Sequence, residues 1–285
     1  MLTRYSLNKM RIRLRAIFMK KKLRHRYRRI AMVLLPYRLA TICKWGVSYS
    51  VFDNEEMLEH SIKHIRDHVN YVNVVYQLES WYGNPASENL LSTLNDLKEK
   101  GLIDELIEYK ADTSIDAGIQ ERKKRNIGLE YAKKRGIDYF MTMDCDEFYI
   151  GREVEKAKYF IVKNGITHSF VDIFNYAQPT KRYLSPTVSY VLFFSKIKNG
   201  SFLIHRNKHS IALVDPTRML NHYLGAKYYF LHSIAMHHMT SYRKCIFKKI
   251  QNSTAREAYK NFKMSEKNCV KVEDIFHLEG CFDDK

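Results

Sequence analysis

The sequence predicts an α/β fold in which helices cover both faces of a mostly parallel sheet. Strand-like and helix-like segments alternate from Trp45 to Phe148, which is the pattern of consecutive strand–helix–strand units. The run from Asp138 to Met143 is apolar on both faces, as expected of a strand inside a parallel sheet. With 285 residues, 45% of them hydrophobic, the chain can bury the core of one large domain or of two fused ones.

The other elements follow from their own patterns. Two apolar runs, residues 45–52 and 71–76, are typical of buried strands. After Gly151 the alternation becomes less regular. The second half is predicted to contain helix-like stretches at residues 153–162 and 242–259 and apolar runs at residues 168–171 and 190–194.

A long helix is predicted over residues 114–135. Ser114 or Asp116 can serve as its N-cap, and Gly136 lies where the chain must turn into the next strand. Gly128 lies inside this helix, where glycine costs about 1 kcal/mol relative to alanine. We therefore expect the helix to approach another part of the fold closely at Gly128.

Two carboxylates one residue apart, Asp144 and Asp146, follow the apolar strand directly. Alternate residues of an extended chain point the same way, so both can face the carboxyl end of the sheet, where α/β folds bind ligands. Such close like charges repel unless a cation lies between them, and hard oxygen ligands favour Mg²⁺ or Mn²⁺. The pattern predicts a metal site that holds a diphosphate, and an acidic turn without metal is the alternative.

Cations on the predicted helix favour the same site. Arg122, Arg125 and Asn126 fall on one helical face together with Leu129. Cations beside an acidic metal site are what a diphosphate requires. The alternative is a solvated basic face, because residues 122–125 form a run of positive charge.

These segments resemble the R-N-x-G-x-x-x-A and D-x-D core of GT-A-type, family-2-like glycosyltransferases. Arg125 to Ala132 carries the first motif, Asp144 to Glu147 carries the second, and Asp53 to Leu58 resembles the start of that family's first helix. The resemblance covers roughly residues 41–150. It implies a GT-A-like, Rossmann-related fold, hexosyltransferase-type activity, a nucleotide-sugar donor, and Mn²⁺ or Mg²⁺ as cofactor.

The resemblance also divides the chain and assigns site residues. Residues 41–150 become the nucleotide-sugar half, and residues 151–285 the half that recognises a glycan or lipid-linked acceptor. Asp144 and Asp146 are expected to bind the metal, and Asp144 also to contact the donor. The further donor contacts expected are Arg122, Arg125, Asn126, Asp112 and Glu79. The turn at residues 77–80 departs from the family's acidic, glycine- and serine-containing pattern.

Residues late in the chain complete the expected site. The family often supplies a late histidine to the metal, and His238 is preferred to His237 for this role; packing or capping at a following helix is the alternative. An inverting reaction needs a carboxylate to take the acceptor proton, and Asp215 and Asp172 are the candidates. Asp215 has a structural alternative as the N-cap of a helix over residues 217–224.

Positive charge is concentrated at one end of the chain. The first 52 residues hold 14 Lys or Arg and no Asp or Glu, which leaves 34 of the 48 basic residues beside all 31 acidic ones. Residues 1–40 interleave these cations with apolar side chains, as a helical arm on an anionic membrane surface does. Nucleic-acid binding and a solvated tail are the alternatives, and we expect the membrane rather than nucleic acid.

Other classes of protein fit less well. No segment has the ~18 apolar residues of a membrane-spanning helix, and no secretory signal is recognisable. Five scattered cysteines favour a reducing compartment, so we expect a cytoplasmic protein at the membrane surface. A nucleotidyltransferase would carry a glycine-rich loop that residues 48–51 lack, and a nucleic-acid-binding protein explains only the basic arm.

Overall fold

The computed structural model describes residues 38–177, 182–184, 190–205, 215–239, 246–254 and 256. The chain divides into two units, Met1–Ile42 and Cys43–Lys285, and every element named below belongs to the second. Nearly all of the predicted basic arm lies outside the described residues, as do both ends of the helix predicted at residues 242–259.

Strands and helices alternate in the first half, and strands dominate the second. The strands are β1 (Trp45–Val51), β2 (Tyr71–Tyr76), β3 (Glu105–Glu108), β4 (Tyr139–Met143), β5 (Glu147–Phe148), β6 (His168–Ala177), β7 (Arg182–Leu184), β8 (Tyr190–Lys196), β9 (Leu203–Ile204), β10 (Met219–Leu220) and β11 (Tyr228–His238). The helices are α1 (Glu55–Arg66), α2 (Leu90–Glu99), α3 (Ala117–Lys134), α4 (Gly151–Lys163) and α5 (Ile246–Asn252). None of the helices in the described part of the chain is both long and apolar enough to cross a membrane.

Within the described residues, nine strands form one sheet at the centre of the fold, in the order β3-β2-β1-β4-β8-β6-β11-β5, with β7 beside β6. Strands β3, β2, β1 and β4 are parallel. Strand β8 runs antiparallel to both β4 and β6, and β6 pairs in parallel with β11. The longest pairings are parallel, so the predicted α/β class is confirmed. The carboxyl ends of β1, β4, β6 and β11 therefore meet along one edge of the sheet.

Buried apolar side chains alternate between the two faces of the sheet. On β4, Tyr139, Met141 and Met143 belong to one core cluster, whereas Phe140 belongs to the other. Helices α1, α2 and α4 pack into the first cluster, and α3 packs into the second with the β9–β10 pair. The predicted covering of both faces by helices is therefore confirmed.

Helix α3 lies closest to the sheet at Gly128. A Cβ atom at this position would lie 1.9 Å from Ser48 Oγ on β1. The Gly128 carbonyl also accepts a hydrogen bond of 2.9 Å from Asn73 Nδ2 on β2. Because no side chain fits in this space, glycine lets the helix backbone rest directly on both strands. The close approach expected from the sequence is present, and its target is the first strand pair.

The start of α3 is set by Asp116. Its side chain accepts a hydrogen bond of 3.0 Å from the backbone N–H of Ile119, which satisfies one of the unpaired donors of the first turn. Ser114, the other candidate cap, instead donates its hydroxyl to Asp112 at 2.6 Å in the preceding turn.

The prediction of a helix over residues 217–224, which rests on capping signals, is wrong. Asp215 does cap a turn, because it accepts hydrogen bonds of 2.8 Å from both the backbone N–H and the hydroxyl of Thr217. The chain then extends into β10, where Met219 and Leu220 are fully buried and pair with β9. Burial of two large apolar side chains outweighs the local capping signal.

We expect Gly128→Ala to lower the free energy of unfolding by about 1–3 kcal/mol, the usual cost of overpacking. The added methyl group has to displace Ser48, and the better helix propensity of alanine, about 1 kcal/mol, offsets only part of that cost. Urea denaturation followed by circular dichroism measures the change. Gly200→Ala is the matched control, because nothing lies within 4 Å of the Cβ it adds. Equal losses in the two variants would contradict the close packing.

Candidate active site

A cavity of about 390 Å³ opens at the carboxyl ends of β1 and β4, beside β6 and β11. Parallel strands present these ends on one edge, so segments far apart in the chain meet there. Four residues nominated from the sequence line the cavity: Asp144, Asp146, Asp215 and His238.

Asp144 is held between two buried arginines. Arg125 Nη2 lies 2.9 Å from Asp144 Oδ1, and Arg218 Nη2 lies 2.5 Å from Oδ2. Arg125 is 1% exposed and also bonds Thr142 and Glu121, so it supports Asp144 from behind the cavity wall. Burial alone would raise the pKa of Asp144, but the two guanidinium groups outweigh it and hold that pKa below its ordinary value.

Arg218 is the counter-ion that three carboxylates share. It is 3% exposed, its Nη1 donates to Glu147 Oε2 at 2.8 Å, and its Nε lies 3.2 Å from Asp215 Oδ2. Burial opposes ionisation of Asp215, yet Arg218 lowers its pKa below the usual range. Burial raises the pKa of Glu147, and Arg218 offsets that rise only in part. The guanidinium thus lets these acidic groups lie side by side.

Asp146 and His238 form a second cluster of polar side chains in the cavity. Pairing of β11 with β5 brings His238 Nε2 to 3.6 Å from Asp146 Oδ1. His238 Nδ1 lies 2.8 Å from Asn175 Oδ1, which fixes the orientation of the ring and leaves Nε2 as the ring nitrogen that faces Asp146. The neighbouring His237 contacts the Tyr176 hydroxyl at 2.7 Å instead. His238 therefore lies at the end of β11, and α5 is the next helix in the chain.

The ligand atoms of Asp146 and His238 are close enough together to hold a divalent ion between them. An ion roughly 2.1 Å from each ligand tolerates ligand atoms about 3 to 4 Å apart. Among the described residues, no three His, Cys, Asp or Glu side chains are placed to hold a metal by themselves. Substrate oxygens and water would complete the shell, as they do where Mg²⁺ has only one or two carboxylate ligands. Arginines bond both oxygens of Asp144, and its contact with the metal stays a prediction.

Lys124 and Trp81 form another part of the cavity wall. The Lys124 ammonium donates a hydrogen bond of 2.7 Å to the carbonyl of Val51 at the end of β1, and it lies 5.6 Å from the centre of the Trp81 ring. Burial lowers the pKa of Lys124 to about 7, with a smaller contribution from Arg125. Lys124 therefore changes charge near neutral pH, and an anion in the cavity would favour its charged form.

Five predicted donor contacts are absent from the cavity lining, and Arg125, which lies behind the wall, is one of them. Asn126 bonds the backbone N–H and carbonyl of Leu203 at 2.7 and 3.0 Å, so its amide ties α3 to β9. Both polar ends of the amide are therefore bonded within the fold, and its contact with the donor stays a prediction. Arg122 is also absent from the lining, and Asp112 and Glu79 are exposed away from it.

The structure separates the two candidate bases. Asp215 lines the cavity, whereas Asp172 does not. Asp172 lies in β6 beside Ile173, which does line the cavity, and successive residues of a strand face opposite sides. Its carboxylate lies 3.1 Å from Nδ1 of His232, whose side chain is 70% exposed. The structure therefore places Asp172 outside this cavity, and its role as a base stays a prediction.

Three cations that shape the cavity carry no distinctive sequence signal. Arg218 lies 74 residues beyond its partner Asp144, and no local pattern marks so distant a pair. Lys124 is one member of a basic run, and the other members of that run do not line the cavity. Lys249 is adjacent to Lys248 in α5, and spacing alone does not select one of them.

Comparison with known proteins gives low similarity. No protein-family model matches the chain, and no curated protein matches it. Among solved structures, S. aureus TarS overlaps 48% of this chain at 14% identity and a TM-score of 0.34. The structure of TarS residues 1–349 in complex with UDP-GlcNAc overlaps 48% of this chain at 14% identity and a TM-score of 0.33. The structure of GalNAc-T7 with UDP, GalNAc and Mn²⁺ overlaps 69% of this chain at 10% identity and a TM-score of 0.41.

These neighbours are glycosyltransferases with GT-A-like folds. The chain spans less than half of each matched structure: 23% of TarS, 36% of its residues 1–349, and 44% of GalNAc-T7. All three TM-scores are below 0.5, and a fold does not by itself define a function.

We expect Arg218→Met to lower the free energy of unfolding at pH 7 by about 3–5 kcal/mol, because it leaves Asp144, Glu147 and Asp215 without their shared buried partner. The loss should shrink in acid. Asp144 and Asp215 have lowered pKa values, so their stabilising contribution is complete above an ordinary pKa of about 4 and disappears as pH falls through the lowered values.

Urea denaturation of wild type and variant at pH 7 and pH 3 tests both parts of this expectation. Arg135→Met is the control, because it removes an arginine whose ion pair lies at the surface. A loss in Arg218→Met that is no larger than in the control, or that is the same at both pH values, would refute the shared counter-ion.

Proposed function

We propose that the protein is a metal-dependent glycosyltransferase of hexosyltransferase type, which moves a sugar from a nucleotide-sugar donor to a glycan or lipid-linked acceptor. One observation carries the proposal. A single cavity at the carboxyl edge of an α/β sheet contains Asp146 and His238, spaced for a divalent ion, beside the cations Arg218 and Lys249. Carboxylate, imidazole and cationic groups together are the set that a metal-bound diphosphate requires.

The charge of the cavity supports the use of a metal. Its described lining has six carboxylates and only three Lys or Arg side chains. The carboxylates are Asp53, Glu121, Asp144, Asp146, Glu147 and Asp215, and the cations are Lys124, Arg218 and Lys249. A diphosphate that enters adds negative charge to this excess. It is repelled unless a divalent ion enters with it.

The residues of the site take separate roles in this proposal. Asp146 and His238 would hold Mn²⁺ or Mg²⁺, which when bound neutralises the charge that develops on the leaving nucleoside diphosphate. Arg218 keeps Asp144 ionised and fixed at the cavity wall, where the remaining lone pairs of its carboxylate can accept hydrogen bonds from the donor.

Asp215 is the proposed base for an inverting transfer. Of the two candidate bases, Asp215 is the one that lines the cavity. Its lowered pKa keeps it ionised and able to accept the proton of an acceptor hydroxyl. The same ion pair with Arg218 weakens it as a base, so we expect the bound acceptor to loosen that pair.

We expect Asp146→Asn to reduce nucleotide release from the preferred nucleotide sugar by about 10²-fold or more, the usual cost of losing a group that stabilises transition-state charge. The assay is a panel of nucleotide sugars with Mn²⁺, scored for free nucleotide. Asp172→Asn is the matched control, because its carboxylate lies outside the cavity and turnover should persist.

Wild-type turnover by Asp146→Asn, or turnover that survives EDTA unchanged, would refute the metal role. Release of pyrophosphate from nucleoside triphosphates, with no reaction on nucleotide sugars, would replace the proposal with a nucleotidyltransferase.

The basic arm supports a peripheral position at an anionic, cytoplasmic membrane surface, where a lipid-linked acceptor would be found. We expect deletion of residues 1–40 to release the protein from anionic vesicles and to leave donor hydrolysis intact, because all the site residues follow Trp45. Co-sedimentation with and without anionic lipid, at low and high salt, measures this. Equal pelleting of both proteins would exclude the arm as an anchor, and tight binding to RNA or DNA would favour the nucleic-acid alternative.

A further inference from the structure

Helix α5 places Lys249 beside Asp146, the proposed metal ligand. Lys249 Nζ lies 3.1 Å from Asp146 Oδ2, and the two side chains are 25% and 4% exposed. His238 Nε2 lies 3.6 Å from the other oxygen of the same carboxylate. The cation beside Asp146 is therefore supplied by the chain itself, from a segment 103 residues away.

A lysine ammonium and a divalent ion compete at this carboxylate. Both are cations, and an ion held by Asp146 and His238 would lie within a few ångströms of Lys249 Nζ, where like charges repel strongly in a partly buried site. An ion that binds Asp146 must therefore weaken the ion pair with Lys249 or displace Lys249 from it.

The position of α5 does not depend on that ion pair alone. Asn84 Nδ2 donates to Asn252 Oδ1 at 2.9 Å, and the Tyr82 hydroxyl donates to the carbonyl of Ser253 at 3.2 Å. The guanidinium of Arg256 lies 3.4 Å from the centre of the Tyr82 ring. These contacts hold α5 and the residues after it on the turn that follows β2. The four-carbon stem of Lys249 can then turn without moving the helix.

We propose that Lys249 is an exchangeable counter-ion. It neutralises Asp146 in the metal-free protein, releases Asp146 when Mn²⁺ or Mg²⁺ binds, and then donates a charge-assisted hydrogen bond to the diphosphate in the same cavity. The inference rests on the proposed function for the identity of the diphosphate, whereas the exchange at Asp146 concerns the metal alone.

Lys249→Met tests the exchange, because it keeps an unbranched apolar stem of nearly the same length and removes the charge. Without the competing ammonium, Mn²⁺ alone should bind roughly fivefold more tightly, the ratio expected for a partly exposed ion pair. Inorganic pyrophosphate should bind the Mn²⁺-saturated variant roughly tenfold more weakly, because one charge-assisted hydrogen bond is lost. Electron paramagnetic resonance of free Mn²⁺ and calorimetry with pyrophosphate give the two affinities on the full-length protein.

Two controls separate the exchange from a change in α5. Lys248→Met removes a positive charge from the same helix without touching Asp146, and both affinities should stay at wild-type values. Lys249→Arg keeps the charge and should keep the weaker Mn²⁺ binding of wild type. A purely structural role for Lys249 would weaken both affinities together, whereas the exchange changes them in opposite directions.

Equal Mn²⁺ affinities for wild type and Lys249→Met would overturn the exchange and leave the proposed transferase standing. Failure of both proteins to bind Mn²⁺ would overturn the exchange together with the metal dependence. Nucleotide release in EDTA would then show whether the transferase itself survives.

Discussion

The buried guanidinium of Arg218 is the interaction on which the rest of the site depends. Asp144, Glu147 and Asp215 come from the edge of the sheet and from the turn before β10, and at these distances they would repel one another without a common cation. The shared arginine ties that turn to the edge of the sheet. The floor of the cavity is consequently fixed by charge, whereas its surroundings are fixed by apolar packing.

A second constraint acts from behind the cavity. Arg125 reaches Asp144 from α3, and α3 lies close enough to do so because its backbone rests on β1 and β2 at Gly128. The motif residues that carry the family resemblance thus have three separate structural roles in this chain. Asn126 fastens the helix to β9, Gly128 sets its distance from the sheet, and Arg125 holds the first aspartate.

Most of the first half is predictable from the sequence because its signals are local. Strand β2 occupies residues 71–76 as expected, the cap of α3 is one of two nominated residues, and the paired acids lie where β4 ends. The rest depends on contacts across the fold. The cap at Asp215 favours a helix until burial of β10 is taken into account, and Arg218 finds its partner 74 residues away. Asn126 has donor-binding chemistry, and only the position of Leu203 shows that its amide is already bonded.

The contact between Ser48 and Gly128 also constrains how the sequence can diverge. The side chain of Ser48 occupies the space between β1 and α3 at Gly128. A lineage that gains a larger residue at position 128 has to lose the side chain at position 48 or move the helix outward, and an outward shift withdraws Arg125 from Asp144. Among descendants of a common ancestor, these two positions should therefore vary as a pair, so that their co-variation records the geometry of a cavity that neither residue touches.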